Sequence, residues 1–138
     1  DRSVLVFLDL KRLMETDFHP VTMDTTLGDV VRLISSVRRN IFPVVSRDGV
    51  LLGVVQLDDL RADMFDPAKY DTKIDAYMIP PPEQIYPNEQ IGSVLKAFEE
   101  SKAWMLPVVT KENKYVGFIS KSRILAAYRE QLIAISEE

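Results

Sequence analysis

Asp58 and Asp59 are adjacent carboxylates, the residue type that acid–base catalysis uses in pairs. Neighbours in sequence diverge by about 100° on a helix, so these two do not converge on one bond. His19 is the sole imidazole in 138 residues, and there is no cysteine. Those two counts exclude histidine-pair metal sites, Ser–His triads within one chain, thiolate catalysis and disulfides. No Gly-rich phosphate loop of the Walker type occurs. His19, in a loop bounded by proline, reads as a surface residue. Nothing converges on catalysis, and the expectation is a protein that is not an enzyme.

The net charge of −4 and a pI near 5.1 also argue against a nucleic-acid partner, which calls for a basic face. No apolar run approaches the roughly 18 residues that span a bilayer. The run from Val4 to Leu8 is too short and lacks a signal peptide's flanks. The chain starts at Asp1 rather than Met, which reads as a piece of a longer polypeptide exposed to the cytosol.

The elements that would position a binding site are repeated. Ile41-Phe42-Pro43-Val44-Val45 recurs 64 residues later as Met105-Leu106-Pro107-Val108-Val109. At that offset Gly53 meets Gly117, Gly28 meets Gly92, Val30 meets Val94, Val21 meets Ile85 and Met14 meets Met78. The register needs no gap from Leu10/Ile74 through Leu60/Ile124.

Each repeat spells the same elements. Thr26 before Leu27-Gly28-Asp29 is a helix cap with an acidic residue three positions on. Leu27, Val30, Val31, Ile34 and Val37 form one helical apolar stripe. Ile41 to Ser46, the turn Arg47-Asp48-Gly49 and Val50 to Val55 predict a hairpin. Leu57-Asp58-Asp59-Leu60 opens a helix running towards Met64-Phe65, ended by Asp66-Pro67. A short extended piece near Val21 precedes the first helix. The second repeat follows with Ile85, the stripe Ile91, Val94, Leu95 and Phe98, a strand Met105 to Thr110 and the turn Glu112-Asn113. A strand Tyr115 to Ile119 and a helix from Lys121 complete it. The fold class is therefore α/β (α+β in some schemes), two βαββα repeats packed as one pseudo-twofold module. The expected division is a connector over residues 1–9, a first repeat over 10–73, and a second over 74–138 with a long C-terminal helix. Pro80-Pro81-Pro82 stiffens the approach to the second repeat.

A strand with Pro-Val-Val, a turn, then Gly-apolar-apolar-x-x-x-Asp entering a helix resembles the CBS domain. Two in tandem resemble a Bateman module, and the likeness covers nearly the whole chain. The resemblance implies a regulatory module that binds adenine nucleotides in clefts between the repeats. In that family's motif, Gly-h-h-Thr/Ser-x-x-Asp with h apolar, the hydroxyl and following helix start face phosphate and the Asp holds ribose hydroxyls. The physics agrees: glycine permits close approach, a helix start offers N–H groups to an anion, and an aromatic wall stacks on a base.

Each repeat keeps half of this motif. The first reads Gly53-Val54-Val55-Gln56-Leu57-Asp58-Asp59, with Asp59 present and Gln56 in place of the hydroxyl. The second reads Gly117-Phe118-Ile119-Ser120-Lys121-Ser122-Arg123, with Ser120 present and Arg123 in place of the Asp. In the family, the resemblance implies, one repeat's motif meets the residues before Pro-Val-Val of the other. Asp59 and Gln56 would then face Ala103, Trp104 and Met105, with Met78 nearby, as the nucleoside site. Ser120, Lys121 and Arg123 would face Arg39, Asn40 and Ile41, a cationic cleft suited to a phosphate-rich ligand. No cofactor is required; ATP, ADP, AMP or adenosine is the implied regulatory ligand.

Plainer readings stand beside these. Asp59 also suits the first turn of a helix, Trp104 a core or dimer interface, and Ser120 a helix cap. Arg38 and Arg39 also suit a solvated helix end, and Pro43 and Pro107 a strand edge.

Asp58-Asp59-Leu60-Arg61, Met64-Phe65-Asp66-Pro67 and Tyr70-Asp71 resemble the cytoplasmic regions of prokaryotic CLC chloride channels and transporters. Ala103 to Val108 and Gly117 to Ser122 are similar to the same group. That resemblance implies a parent transmembrane transport domain, a place on the cytoplasmic side of the cell membrane, and no conducting residue in this chain. Val4 to Met14 would be the connector, or an ordinary element packed on the module. Ile124 to Tyr128 through Leu132-Ile133 reads as an amphipathic helix that caps the core or pairs with a second chain, making a homodimer. The alternatives are a ligand-free dimerisation scaffold and the CBS pair of another transporter or a metabolic enzyme.

Overall fold

Thr26 opens the first long helix in the computed structural model, which describes residues 9–136. Its side chain accepts from the Asp29 amide at 3.2 Å, and the Asp29 carboxylate accepts from the Thr26 amide at 3.0 Å. This reciprocal capping box satisfies two amides that have no partner inside the helix. Residues 1–8, with most of the expected connector, lie outside the described part.

In chain order the elements are α1 (Leu10–Leu13), α2 (Leu27–Ile34), β1 (Ile41–Val45), β2 (Leu51–Gln56) and α3 (Leu57–Leu60). Two 3-10 turns, Pro67–Lys69 and Ile74–Ala76, precede α4 (Ile91–Ser101), β3 (Met105–Val109), β4 (Tyr115–Ser120) and α5 (Lys121–Ser136). The mixed helix and strand order is the α/β pattern read from the sequence. None of the described helices is long and apolar enough to cross a membrane.

The chain forms two compact units. One comprises Asp17–Pro81 with Glu112–Tyr115; the other takes, of the described residues, 9–16, Pro82–Lys111 and 116–136. In the first unit β1 and β2 are antiparallel, with Val44 opposite Gly53 and an irregularity at Val44/Val45. Gly49 turns this hairpin at φ 84°, a conformation that glycine adopts without a steric cost. Val21 flanks β1 through a parallel bridge to Val44, and Ile79 flanks β2 through an antiparallel bridge to Val54. In the second unit Ile85 bridges Val108, β3 pairs with β4, and Glu15 bridges Phe118. Asn113, 64 positions after Gly49, takes the same left-handed turn position at φ 65°.

Each unit has its own core. Val21, Leu27, Val30, Phe42, Val44, Val55, Leu60, Met64 and Ile74 are buried together in the first. Leu10, Ile85, Ile91, Val94, Phe98, Leu106, Val108, Ile119 and Ile124 are buried together in the second. Fully burying such a side chain stabilises by about 1.5–3 kcal/mol. Apart from Met64 and Phe98, every member has its counterpart at the 64-residue offset. The leading segments are exchanged: Leu10 and Glu15, from the start of the first repeat, complete the second unit. Ile74 and Ile79, from the start of the second repeat, complete the first.

Two expectations change. The helix expected to run from Leu57 towards Phe65 stops at Leu60, well before Pro67. Beyond it the chain turns, and its polar groups find partners from outside a helix. The Tyr70 hydroxyl donates to the Met64 carbonyl at 2.8 Å, and Tyr77 donates to the Asp63 carboxylate at 2.7 Å. Pro67 instead starts a 3-10 turn capped by Asp66, whose side chain accepts from Ala68 N at 3.1 Å. The second change concerns Gly53 and Gly117, read from sequence as sites of close ligand approach. A Cβ at Gly53 would lie 2.6 Å from Met78 Cγ and 2.7 Å from the Ile79 carbonyl. At Gly117 it would lie 2.7 Å from the Glu15 carbonyl and 2.9 Å from Met14 Cγ. The chain's own exchanged segments use that space.

Candidate functional site

The first motif runs from the end of β2 into α3. Leu57 N donates to the Asn40 carbonyl at 2.8 Å, which pins the residue before β1 against the motif of the same repeat. Asp58 is held by Arg61 at 2.8 Å. Asp59, next to it, is exposed, and among the described residues its carboxylate has no ion-pair or hydrogen-bond partner. Gln56 is half-buried at the N-cap of α3 and makes no capping bond with its side chain. Met78 packs over Gly53 in this unit, and Ile41 is buried at the start of β1.

The second motif repeats the backbone link, since Lys121 N donates to the Trp104 carbonyl at 2.9 Å. Trp104 is 70% exposed, which removes the core reading of this residue. The Lys121 ammonium lies 5.1 Å from the centre of its ring, within the range of a cation–π contact. Ser120 Oγ accepts from Arg123 N at 3.1 Å, so this hydroxyl serves as a helix cap. Arg123 pairs with Glu15 at 3.9 Å. Ala103 and Met105 are half-buried on either side of Trp104, and Ala103 N donates to Ser101 Oγ at 3.2 Å.

Of the residues expected to share a nucleoside site, Asp59, Gln56 and Met78 belong to the first unit and Ala103, Trp104 and Met105 to the second. Of the cationic group, Arg39, Asn40 and Ile41 belong to the first and Ser120, Lys121 and Arg123 to the second. The contacts within each unit join Asn40 to the first motif and Trp104 to the second, that is, within one repeat.

Arg39 is not a solvated helix end. Its guanidinium forks onto Asp17, with Nε 3.2 Å from Oδ2, and stacks over the Phe18 ring at 4.4 Å. Arg38 is exposed, and so is His19. Tyr115, half-buried in the same unit, has its hydroxyl pKa raised by burial, against a lowering by Arg39. Sequence reasoning passed over Glu15, Asp17 and Phe18. The one available signal was at the offset itself, where Glu15 matches Ile79 and Arg123 matches Asp59: both positions change character between the repeats.

A family model described as the CBS domain matches residues 10–66 and again 74–130. The chain is 24% identical over 127 residues to homoserine O-acetyltransferase of Methanosarcina acetivorans, covering 92% of this chain and 23% of that protein. It spans 23%, 52% and 40% of the length of three curated relatives. CBSX2 in complex with AMP superposes with a TM-score of 0.71 at 23% identity, covering 86% of this chain and 94% of that one. The CBS domain of a bacterial CNNM/CorC family Mg2+ transporter in complex with ATP superposes at 0.78 and 18% identity, covering 92% and 90%. At those identities the likeness establishes the fold. None of these three is a chloride channel, so the resemblance to that group keeps only its sequence strings.

Proposed function

We propose, since this chain belongs to the CBS domain family as a tandem pair, that it is a regulatory module that binds an adenine nucleotide or nucleoside and biases a partner domain. The observation that carries this reading is Trp104, 70% exposed with the Lys121 ammonium beside its ring. The exposed indole with a cation beside it has the parts a nucleotide needs: a face for a base and a cation for phosphate. In the other unit, Asp59 is an exposed carboxylate of the kind that accepts ribose hydroxyls. The AMP and ATP complexes of CBSX2 and the CNNM/CorC protein support the ligand class. An effector of this kind shifts a coupled equilibrium by about 1–3 kcal/mol.

Trp104 is the chain's sole tryptophan, so its fluorescence reports on the site directly. Titration with ATP, ADP, AMP and adenosine should change that fluorescence and release heat, and Asp59→Ala should weaken nucleoside binding. If neither signal appears at millimolar ligand, the reading is wrong.

Exposure of Trp104 also favours a second reading, a ligand-free scaffold in which this ring sits in a homodimer interface. Sedimentation separates the two: Trp104→Ala would then dissociate the dimer, and no nucleotide would raise the melting temperature. Neither reading makes the chain an enzyme; the acetyltransferase relative is matched over less than a quarter of its length. The finer assignment, a module on the cytoplasmic side of a CLC-type chloride transporter, rests on the sequence strings alone. Transmembrane spans of that family in the same gene product would support it, and a different parent domain there would overturn it.

A further inference from the structure

Both motifs are tied by the same backbone bond to the residue before their repeat's first hairpin strand, but they differ in what steadies them. In the second, Lys121 opens a helix of 16 residues, and Ser120 Oγ caps it by accepting from Arg123 N at 3.1 Å. In the first, α3 is a single turn of four residues, and Gln56 makes no capping bond with its side chain. A lone turn does not hold itself in water, because nucleating a helix costs more than its few hydrogen bonds return. The start of α3 is fixed by the Asn40 carbonyl, which accepts from Leu57 N at 2.8 Å. Asn40 is exposed and lies outside any regular element, so it needs a brace of its own. Its neighbour Arg39 supplies one. The guanidinium forks onto Asp17, lies 4.4 Å from the centre of the Phe18 ring, and leaves the side chain only 27% exposed. That footing is firm. Phe18 is buried, and Val21 joins β1 by donating to the Pro43 carbonyl at 2.9 Å and accepting from Val45 N at 2.8 Å. At the 64-residue offset Arg39, Asp17 and Phe18 are replaced by Ala103, Pro81 and Pro82. The three bracing residues are thus present together in the repeat whose motif lacks a side-chain cap, and absent together from the repeat that has one.

We propose that Arg39 is a positioning residue: braced on Asp17 and Phe18, it holds Asn40, and through Asn40 the start of α3, so that Asp59 meets the hydroxyls of a ribosyl ligand. This rests on the proposed function for the ligand class. Every residue of this chain of contacts, from Asp17 to Asp59, lies in the first unit. Asp59 is two residues beyond Leu57 on the same turn, so a shift at the start of α3 reaches its carboxylate. A carboxylate that accepts two neighbouring hydroxyls needs both oxygens within hydrogen-bond distance, and a displacement of about 1 Å forfeits that. Arginine suits the bracing role because its planar fork fixes direction as well as distance, which a lysine ammonium does not.

The test uses the whole chain and compares ATP and adenosine with their 2′,3′-dideoxy forms, which keep the base but lack both ribose hydroxyls. Wild type should bind the hydroxyl-bearing forms about tenfold more tightly, the worth of one hydrogen bond to a carboxylate. Asp59→Ala should abolish that preference. Arg39→Ala should reduce it to about twofold, leave the affinity for the dideoxy forms as it was, and add nothing in the Asp59→Ala background. A general loosening of the fold would weaken all four ligands alike. Asp17→Asn, on a side chain 70% exposed, removes the footing with little change of shape; it should lower the ratio too, and carries the test if Arg39→Ala fails to fold. Arg38→Ala, an exposed loss of the same charge one residue earlier, should leave the ratio unchanged. If wild type shows the preference and both Arg39→Ala and Asp17→Asn keep it, the positioning role is overturned while the nucleotide reading survives. If wild type binds all four without preference, Asp59 holds no ribose and this inference falls alone. If none of the four binds, both fall.

Discussion

Met78 lies where a side chain on Gly53 would have to go. The two residues fix how the exchanged segment crosses β2, and Met14 repeats the relationship over Gly117.

Gly53→Ala should therefore destabilise the protein by about 1–3 kcal/mol, the usual cost of overpacking. The Met78 side chain can move, but the Ile79 carbonyl, 2.7 Å from the added carbon, accepts from Val54 N at 2.9 Å, and Ile79 N donates back to the Val54 carbonyl at 2.9 Å. Adding Met78→Ala should recover only part of the loss. Chemical denaturation of the single and double variants measures both. Full recovery would show that the side chain alone sets the constraint.

Thr26→Ala should cost about 1 kcal/mol by removing one half of the capping box. The other half has a pH signature. Hydrogen bonds from Thr26, then the bond and charge of Arg32, hold the Asp29 carboxyl below the ordinary carboxylate range. Because its folded pKa is lowered, its contribution is complete above the unfolded value and is lost as pH falls through the folded one. Wild type should thus lose more stability on acidification than Asp29→Asn. Parallel acid melting curves for the two would contradict this.

Glu89 has the opposite sign. Burial raises its pKa, with a hydrogen bond at Tyr86 opposing the rise and the Glu83 charge adding to it, and among the described residues its Oε2 has no hydrogen-bond partner. The fold favours the protonated form, so its contribution is complete below the unfolded value and is lost as pH rises through the raised folded one. Glu89→Gln should raise the melting temperature at neutral pH, and the difference from wild type should shrink in acid. A variant that melts lower at neutral pH would refute this.

Lys102 ends α4 in a left-handed conformation at φ 59°, with its N–H on the Phe98 carbonyl at 2.9 Å. Glycine removes the Cβ conflict there, and Lys102→Gly should stabilise by about 0.5–1 kcal/mol. Thermal melting at fixed pH decides it.

Which residues form the cores was legible from the offset, because matched apolar positions such as Phe42/Leu106 and Val55/Ile119 keep their burial in both units. Which core receives Leu10 and which Ile74 was not. Both segments have the same pattern, and a period is silent about which copy each one joins. The short α3 escaped notice because Leu57, Leu60 and Met64 keep helical spacing while Tyr70 and Tyr77 draw off the backbone and side chains that follow. Arg39 looked like helix-end charge because its partner, Asp17, lies 22 residues away, beyond any local pattern. The motif residues Asp59 and Ser120 were placed correctly at helix starts, yet only contacts revealed that Ser120 is spent on its own cap.

The exchanged leading segments also decide what a single repeat could do alone. A polypeptide carrying a single repeat would have a leading segment with no place in its own unit, and it would be completed only by lending that segment to a sister molecule. Fusing two copies turns this mutual loan into an internal one, at an effective concentration that no longer depends on how much protein the cell makes. Splitting the chain between the repeats should give two fragments that are each incomplete alone and fold when mixed.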